Sequence, residues 1–201
     1  MSTHEPLRVH LIRHGETAWS LSGQYTGRTD IPLTQHGEEA ACALGKRLRG
    51  IPFARVLASP LMRALQTCAL AGLQAAAVVN PDLTEWDHGD FEGHTPVEVH
   101  AGHPHWNLFL DGAPGGESPA QIALRADQLI AQLRLLKGNV ALFTHSHFGR
   151  VFAARWIKLS VAQAQHFLLN TASLSILCFE HGNMNQPAIE LWNSTGLNPS
   201  E

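Results

Sequence analysis

The chain has 201 residues, 44% of them hydrophobic and 15% charged, enough to bury a substantial core within one domain carrying an inserted cap. A formal net charge of −3 leaves no strong electrostatic footprint for nucleic acid or an anionic membrane. No apolar run approaches the ~20 residues of a membrane span, and Met1–Pro6 lacks the regions of a signal peptide, so a cytoplasmic chain is expected.

Val9–Ile12 is a short apolar run and reads as a buried strand that ends on Arg13-His14-Gly15-Glu16. A helix is predicted from Gln35 to Arg49. Thr34 is its N-cap, Gly50 lies just past its end, and Ala41, Leu44 and Leu48 give it an apolar stripe. Arg55–Ala58 reads as a second strand. Ser59-Pro60 reads as an N-cap with proline in the first helical position, opening a helix that runs to Ala71. Ala77–Val79 is a short strand candidate.

From about 86 to 117 the pattern breaks into mixed glycine, proline, histidine and tryptophan, with short helices near Pro96 and His105. A long irregular connection of this kind reads as an inserted lid, and its aromatic content argues against disorder. Ser118-Pro119-Ala120-Gln121 is a capping box. The helix behind it carries Ile122, Ala126, Leu129, Ile130, Leu133 and Leu136 on one face and stops at Gly138. Asn139–Thr144 is a strand, His147–Leu159 a helix, and Leu174–Glu180 and Ile189–Asn193 are late strands. The tail after Ser194 is polar. With no internal repeat and no linker, 1–201 reads as one domain. The alternation implies an α/β three-layer sandwich, a mostly parallel sheet with helices on both faces. Cys42, Cys68 and Cys178 lie in apolar segments without metal-ligand spacing, so buried free thiols are expected.

The chemistry gathers at strand ends. His14 follows the first strand, His145 follows Asn139–Thr144, and Arg63 lies in the first turn of the helix after Ser59-Pro60. If the two strands are parallel neighbours, Arg13, His14, Arg63 and His145 meet in one crevice at the open end of the sheet. Guanidinium forks match the oxygens of a phosphate dianion. Nearby arginines disfavour protonation of His14 and keep a lone pair free for attack.

Leu11-Ile-Arg-His-Gly-Glu-Thr17, Ser59-Pro-Leu-Met-Arg-Ala-Leu-Gln-Thr67, Glu85 ahead of Gly89-Asp-Phe-Glu-Gly93, and Thr144-His145 together resemble the histidine phosphatase superfamily, built on the phosphoglycerate-mutase fold. The resemblance implies a phosphohistidine mechanism. His14 would be the nucleophile; Arg13, Arg63 and His145 would hold the phosphoryl group; Glu85 would protonate the leaving oxygen and then activate water. Partial burial beside Trp86 is expected to raise the Glu85 pKa toward that task. Gln24, Tyr25, Thr26 and Gly27, in a loop that continues to Arg28, and Trp86, His88 and Ser146 are the substrate-binding candidates. Glu92 and Glu16 read as backbone-fixing carboxylates, and His147 as a surface histidine at a helix start. Ser20 stands where the family usually has asparagine.

The span 94–124 contains no lysine or arginine, which disfavours burying a substrate carboxylate and hence a mutase. Trp106–Gly112, Gly116–Ser118 and Leu124-Arg125 resemble the sugar-phosphatase branch that includes sedoheptulose-1,7-bisphosphatase. The expectation is a phosphatase acting on a small phosphorylated metabolite, with no metal or cofactor, because the cationic residues can neutralise the phosphoryl group. The oligomeric state is left open. A phosphoglycerate mutase and a non-catalytic phosphate binder are the alternatives. A metal-dependent hydrolase would have to use His94, His100, His103 and His105, which read better as a polar lining of the lid.

Overall fold

The computed structural model describes residues 5–196. Six strands form one sheet: β1 (Arg8–Arg13), β2 (Phe53–Ala58), β3 (Ala77–Val79), β4 (Asn139–Thr144), β5 (Leu174–Phe179) and β6 (Pro187–Ser194). Their spatial order is β3-β2-β4-β1-β5-β6. Neighbours from β3 to β1 run parallel, whereas β5 lies antiparallel to β1 and to β6. The parallel pairing of β1 with β4 brings Arg13 opposite Thr144, so both histidine-bearing strands open on the same edge.

Strand alternation sends successive side chains to opposite faces, and each face has its own core. Val9, Leu11, Val140, Leu142 and Leu177 pack under α6 (Pro119–Leu133) and α7 (Ser146–Trp156). Ile12, Val56, Phe143 and Leu174 pack under α2 (Gln35–Leu48) and α3 (Met62–Leu70). This is the three-layer α/β arrangement expected. The α2 stripe of Ala41, Leu44 and Leu48 is buried, Thr34 caps Gly37 N–H, and Gly50 follows at φ 82°. The Ser118–Gln121 capping box is present, although α6 ends at Leu133.

Four local expectations need correction. The α3 helix starts at Met62, with Leu61 as N-cap and no side-chain cap bond; Ser59 Oγ accepts from Leu61 N–H (3.4 Å) and sits 2.7 Å from His145 Nε2. A five-residue helix, α1 (Ala18–Ser22), follows the first strand and has no predicted counterpart. The α7 helix is shorter than expected, Ser146–Trp156. Of the cysteines only Cys68 is buried; Cys42 is exposed and Cys178 intermediate. The expected loose tail lies, from residue 197 on, outside the described residues.

The 86–117 segment holds α4 (Pro96–Gly102), capped by Thr95, and α5 (Leu108–Asp111), capped by Asn107. Trp86 and Phe109 meet edge-on and join the core cluster of α6 and α7. Among the described residues, no helix is long and apolar enough to cross a membrane.

Candidate active site

The His14 backbone is held on both sides: its N–H donates to Thr144 O (3.0 Å), and its carbonyl accepts from Ala172 N–H (3.0 Å). The imidazole Nδ1 lies 2.7 Å from Gly15 O. A carbonyl accepts only, so Nδ1 carries the proton and Nε2 keeps its lone pair. Burial, then Arg13 and Arg63, hold the His14 pKa well below its usual value, so the ring is neutral at neutral pH. Arg13 donates to Leu169 O and has a buried Nε without a partner. Burial brings the Arg13 pKa down to about 10, which still leaves the guanidinium charged.

His145 is fully buried, with its ring centroid 5.2 Å from that of His14. Arg63 Nε donates to His145 Nδ1 at 3.1 Å, which assigns the other proton to Nε2, pointing at Ser59 Oγ. Arg63 is equally buried. Its Nη1 donates to Thr29 O and its Nη2 to Thr26 O and Gly27 O. The four predicted cationic and imidazole residues therefore do converge. Arg63, however, spends most of its donors tying the 26–29 loop to α3, and one Nη1 hydrogen remains.

Glu85 arrives on the segment after β3 and is 7% exposed. Its Oε1 accepts from Trp86 N (2.8 Å) and Phe148 N (2.7 Å), and its Oε2 from His147 N (3.0 Å). The expected upward pKa shift is not found. Burial does push it up, but the amides that donate to it, Phe148 N–H at the start of α7 among them, work the other way and the carboxyl is held below its usual range.

Tyr25, Gln24, Thr26 and Ser146 line a crevice of about 220 Å³ with Arg13 and His14. Glu85 and His147 complete its wall. Gly27 sits against Trp86 O and Glu92, where a Cβ would come within 2.7 Å of that carbonyl. Trp86 is a correction: it is fully buried and donates to Glu117 O, so it packs the core and does not face the crevice. His88, 1% exposed, lies behind the crevice, 3.2 Å from His147 and with its ring 5.1 Å from that of Tyr25. His147 is no surface residue. Its side chain is 20% exposed, and burial pulls its pKa down to about 3 despite Glu85.

Glu92 accepts from Gly27 and Thr29 N–H and so fixes loop backbone, whereas Glu16 accepts from the Thr34 hydroxyl, a side-chain contact to the N-cap of α2. Arg28 is 83% exposed and pairs with Asp87 at 2.9 Å. It borders a larger cavity of about 510 Å³ that His14 does not line. His94, His100, His103 and His105 are exposed to solvent and do not line the crevice. Among the described residues, no three His, Cys, Asp or Glu side chains are gathered as a metal site. Arg150 went unnoticed in the sequence, because it lies on the α7 helix outside the irregular segment. It stacks 4.5 Å over Phe109, supplying a cation where residues 94–124 have none.

Residues 9–195 match the histidine phosphatase superfamily (branch 1). The chain belongs to this superfamily. It is 40% identical over 179 residues to an acid phosphatase of Mycobacterium tuberculosis, covering 87% of this chain and 88% of that protein. It is 30% identical over 249 aligned positions to sedoheptulose 1,7-bisphosphatase of Saccharomyces cerevisiae, covering 92% of each. The solved structure of a Mycobacterium tuberculosis open reading frame superposes with a TM-score of 0.87 at 37% identity, covering 94% of this chain and 98% of the other. Other relatives carry the name phosphoglycerate mutase, among them one from Gloeobacter violaceus. The phosphatase class and the α/β fold read from the sequence stand with these relatives.

Proposed function

We propose that this member of the superfamily hydrolyses small phosphorylated metabolites, sugar phosphates or bisphosphates, through a phosphoryl group carried on His14. The observation that carries this reading is the His14 ring, neutral, fixed through Nδ1 and left with a lone pair on Nε2 beside Arg13 and His145. The Nε2–P bond forms as the bond from phosphorus to the leaving oxygen breaks. Arg13 and the remaining Arg63 N–H offer donors to the developing charge, while His145, its two ring nitrogens paired with Arg63 and Ser59, keeps Arg63 in place, a task of positioning and electrostatics that needs no metal. Glu85 supplies the proton to the leaving oxygen. It then takes one from the water that breaks the N–P bond.

A crevice of about 220 Å³ suits a small molecule better than a protein segment. We read 86–117 as the lid of that crevice. Arg150 Nη1 is not among the donors taken by Ala164 O and Gln165 O, and it favours a substrate with a second anionic group. Free cysteines fit a reducing cytoplasm.

A panel of sugar phosphates and bisphosphates, read by phosphate release, tests the reading. Acid-free quenching should trap phosphate on the enzyme, and His14→Ala should lose both label and turnover. Near-normal turnover by His14→Ala would overturn it. Primer-dependent interconversion of 3- and 2-phosphoglycerate outpacing hydrolysis would select a mutase instead.

A further inference from the structure

We propose that His147 is the proton store for Glu85, and that His88 sets the direction in which the His147 Nδ1 proton points. The proposal rests on the phosphatase reading and concerns residues that no role in the phosphohistidine scheme has claimed.

His147 Nδ1 has two neighbours: His88 Nε2 at 3.2 Å and Glu85 Oε2 at 3.7 Å. Only the first is within hydrogen-bond distance. His88 Nδ1 is buried, makes no hydrogen bond, and has the Glu92 carboxylate 3.9 Å away. Glu92 is itself anchored on Gly27 and Thr29 N–H, so its charge is fixed. A carboxylate on that side favours the tautomer with the proton on His88 Nδ1. His88 Nε2 is then an acceptor, and His147 Nδ1–H donates to it. In the resting enzyme the His147 proton therefore points away from Glu85.

The groups facing the pair come from several elements. His147 sees Glu85 and His88 from the lid segment, Arg13 from β1, and Arg150 from its own helix. The Tyr25 and Phe109 rings lie 6.0 and 5.7 Å from its ring. His88 sees Glu92, Glu85, Asp87 and Arg63, with the Tyr25 ring at 5.1 Å. Burial keeps both imidazoles neutral at rest, and Glu85 is ionised. A phosphate dianion entering beside them raises the proton affinity of all three. His147 lines the crevice, and its Nε2, the nitrogen not turned to His88, takes a proton from crevice water, leaving hydroxide to the solvent. The charged ring is drawn from His88 toward the Glu85 carboxylate, closing the 3.7 Å gap, and passes its Nδ1 proton to Oε2; Glu85 passes it to the leaving oxygen. One proton enters at Nε2, one leaves at Nδ1, and the ring ends neutral.

The test compares two esters that differ in their need for a proton: benzyl phosphate, which expels an alkoxide, and p-nitrophenyl phosphate, which expels a stable phenolate. Profiles of kcat/KM against pH are taken for the parent, His147→Phe, His88→Phe and His88→Gln. In His147→Phe, benzyl phosphate should slow by about 10²-fold more than p-nitrophenyl phosphate. Its alkaline limb should move to lower pH. In His88→Phe the freed Nδ1–H turns to the Glu85 carboxylate, so the limb should move the other way, to higher pH. His88→Gln offers an amide oxygen to the same proton and should restore the parent profile. Equal losses on both esters with unshifted limbs, or both Phe variants shifting alike, would reduce the pair to packing and overturn the proposal. If His147→Phe does not fold, the direction of the His88→Phe shift decides. A parent that hydrolyses neither ester defeats the phosphatase reading itself, and the relay with it.

Discussion

Glu85 accepts three backbone N–H groups, two of them from the first turn of α7, and is held ionised before any substrate arrives. An acid in this position works only if substrate binding drives a proton onto it, which ties its role to leaving groups that need one. Glu85→Gln should therefore slow phosphoenzyme formation from a sugar phosphate by about 10²–10⁴-fold and from p-nitrophenyl phosphate far less. Rapid-quench measurement of that first step checks it; equal losses would point to loosening of the α7 N-terminus rather than a lost acid. Arg13, His14 and His145 were legible in the sequence because each sits at or just past the end of an apolar strand, and a strand end has few places to go. The ionisation of Glu85 was not legible. It depends on amides from a helix far along the chain, which no local pattern announces. Trp86 failed for a related reason: its neighbour faces the site, and a tryptophan one residue on turns the other way, into the core.

The α2 helix sets the position of the nucleophile loop. At Gly15 a Cβ would lie 2.5 Å from Gly37 O, and at Gly37 it would lie 2.2 Å from Glu16 O. Two bare backbones therefore meet, and the first turn of α2 presses directly on the residues after His14. Gly37→Ala should destabilise the protein by about 1–3 kcal/mol through overpacking and lower kcat/KM by moving the His14 loop. Gly102→Ala, at the end of α4 with open space around it, should do neither. Thermal melts with parallel kinetics on both variants check this. Long helices such as α2 and α6 were legible because each carries a wide apolar stripe. The α1 helix has five residues and buries none, so it leaves no period to read. The α3 start was misplaced because Ser59 Oγ holds Leu61 N–H in a turn before the helix and meets His145, so the helix itself begins two residues later than a Ser-Pro cap implies.

At the scale of the whole molecule, the crevice is a store of neutral imidazoles. His14 and His145 are held well below their usual pKa by burial and by neighbouring arginines, and His147 is pulled down to about 3. On unfolding, each returns to about 6.5. A folded-state pKa below the unfolded value means that the unfolded chain binds more protons as the pH drops. The stabilisation is complete above about pH 6.5 and is lost as the pH falls below it. Glu85 acts in the same direction: its depressed pKa stabilises the fold above about pH 4.3 and ceases to do so in stronger acid. At about pH 5.5 each of these histidines costs the fold on the order of 1 kcal/mol relative to neutral pH. For a chain of this size the melting temperature should then fall by on the order of 10 °C between about pH 7.5 and 5.5. Replacing His147 with phenylalanine removes one of these contributions and should shrink that fall. A melting temperature flat across the interval would mean that the imidazoles take up protons in the folded protein. The neutral His14 on which the proposed chemistry depends would then be lost from the argument as well.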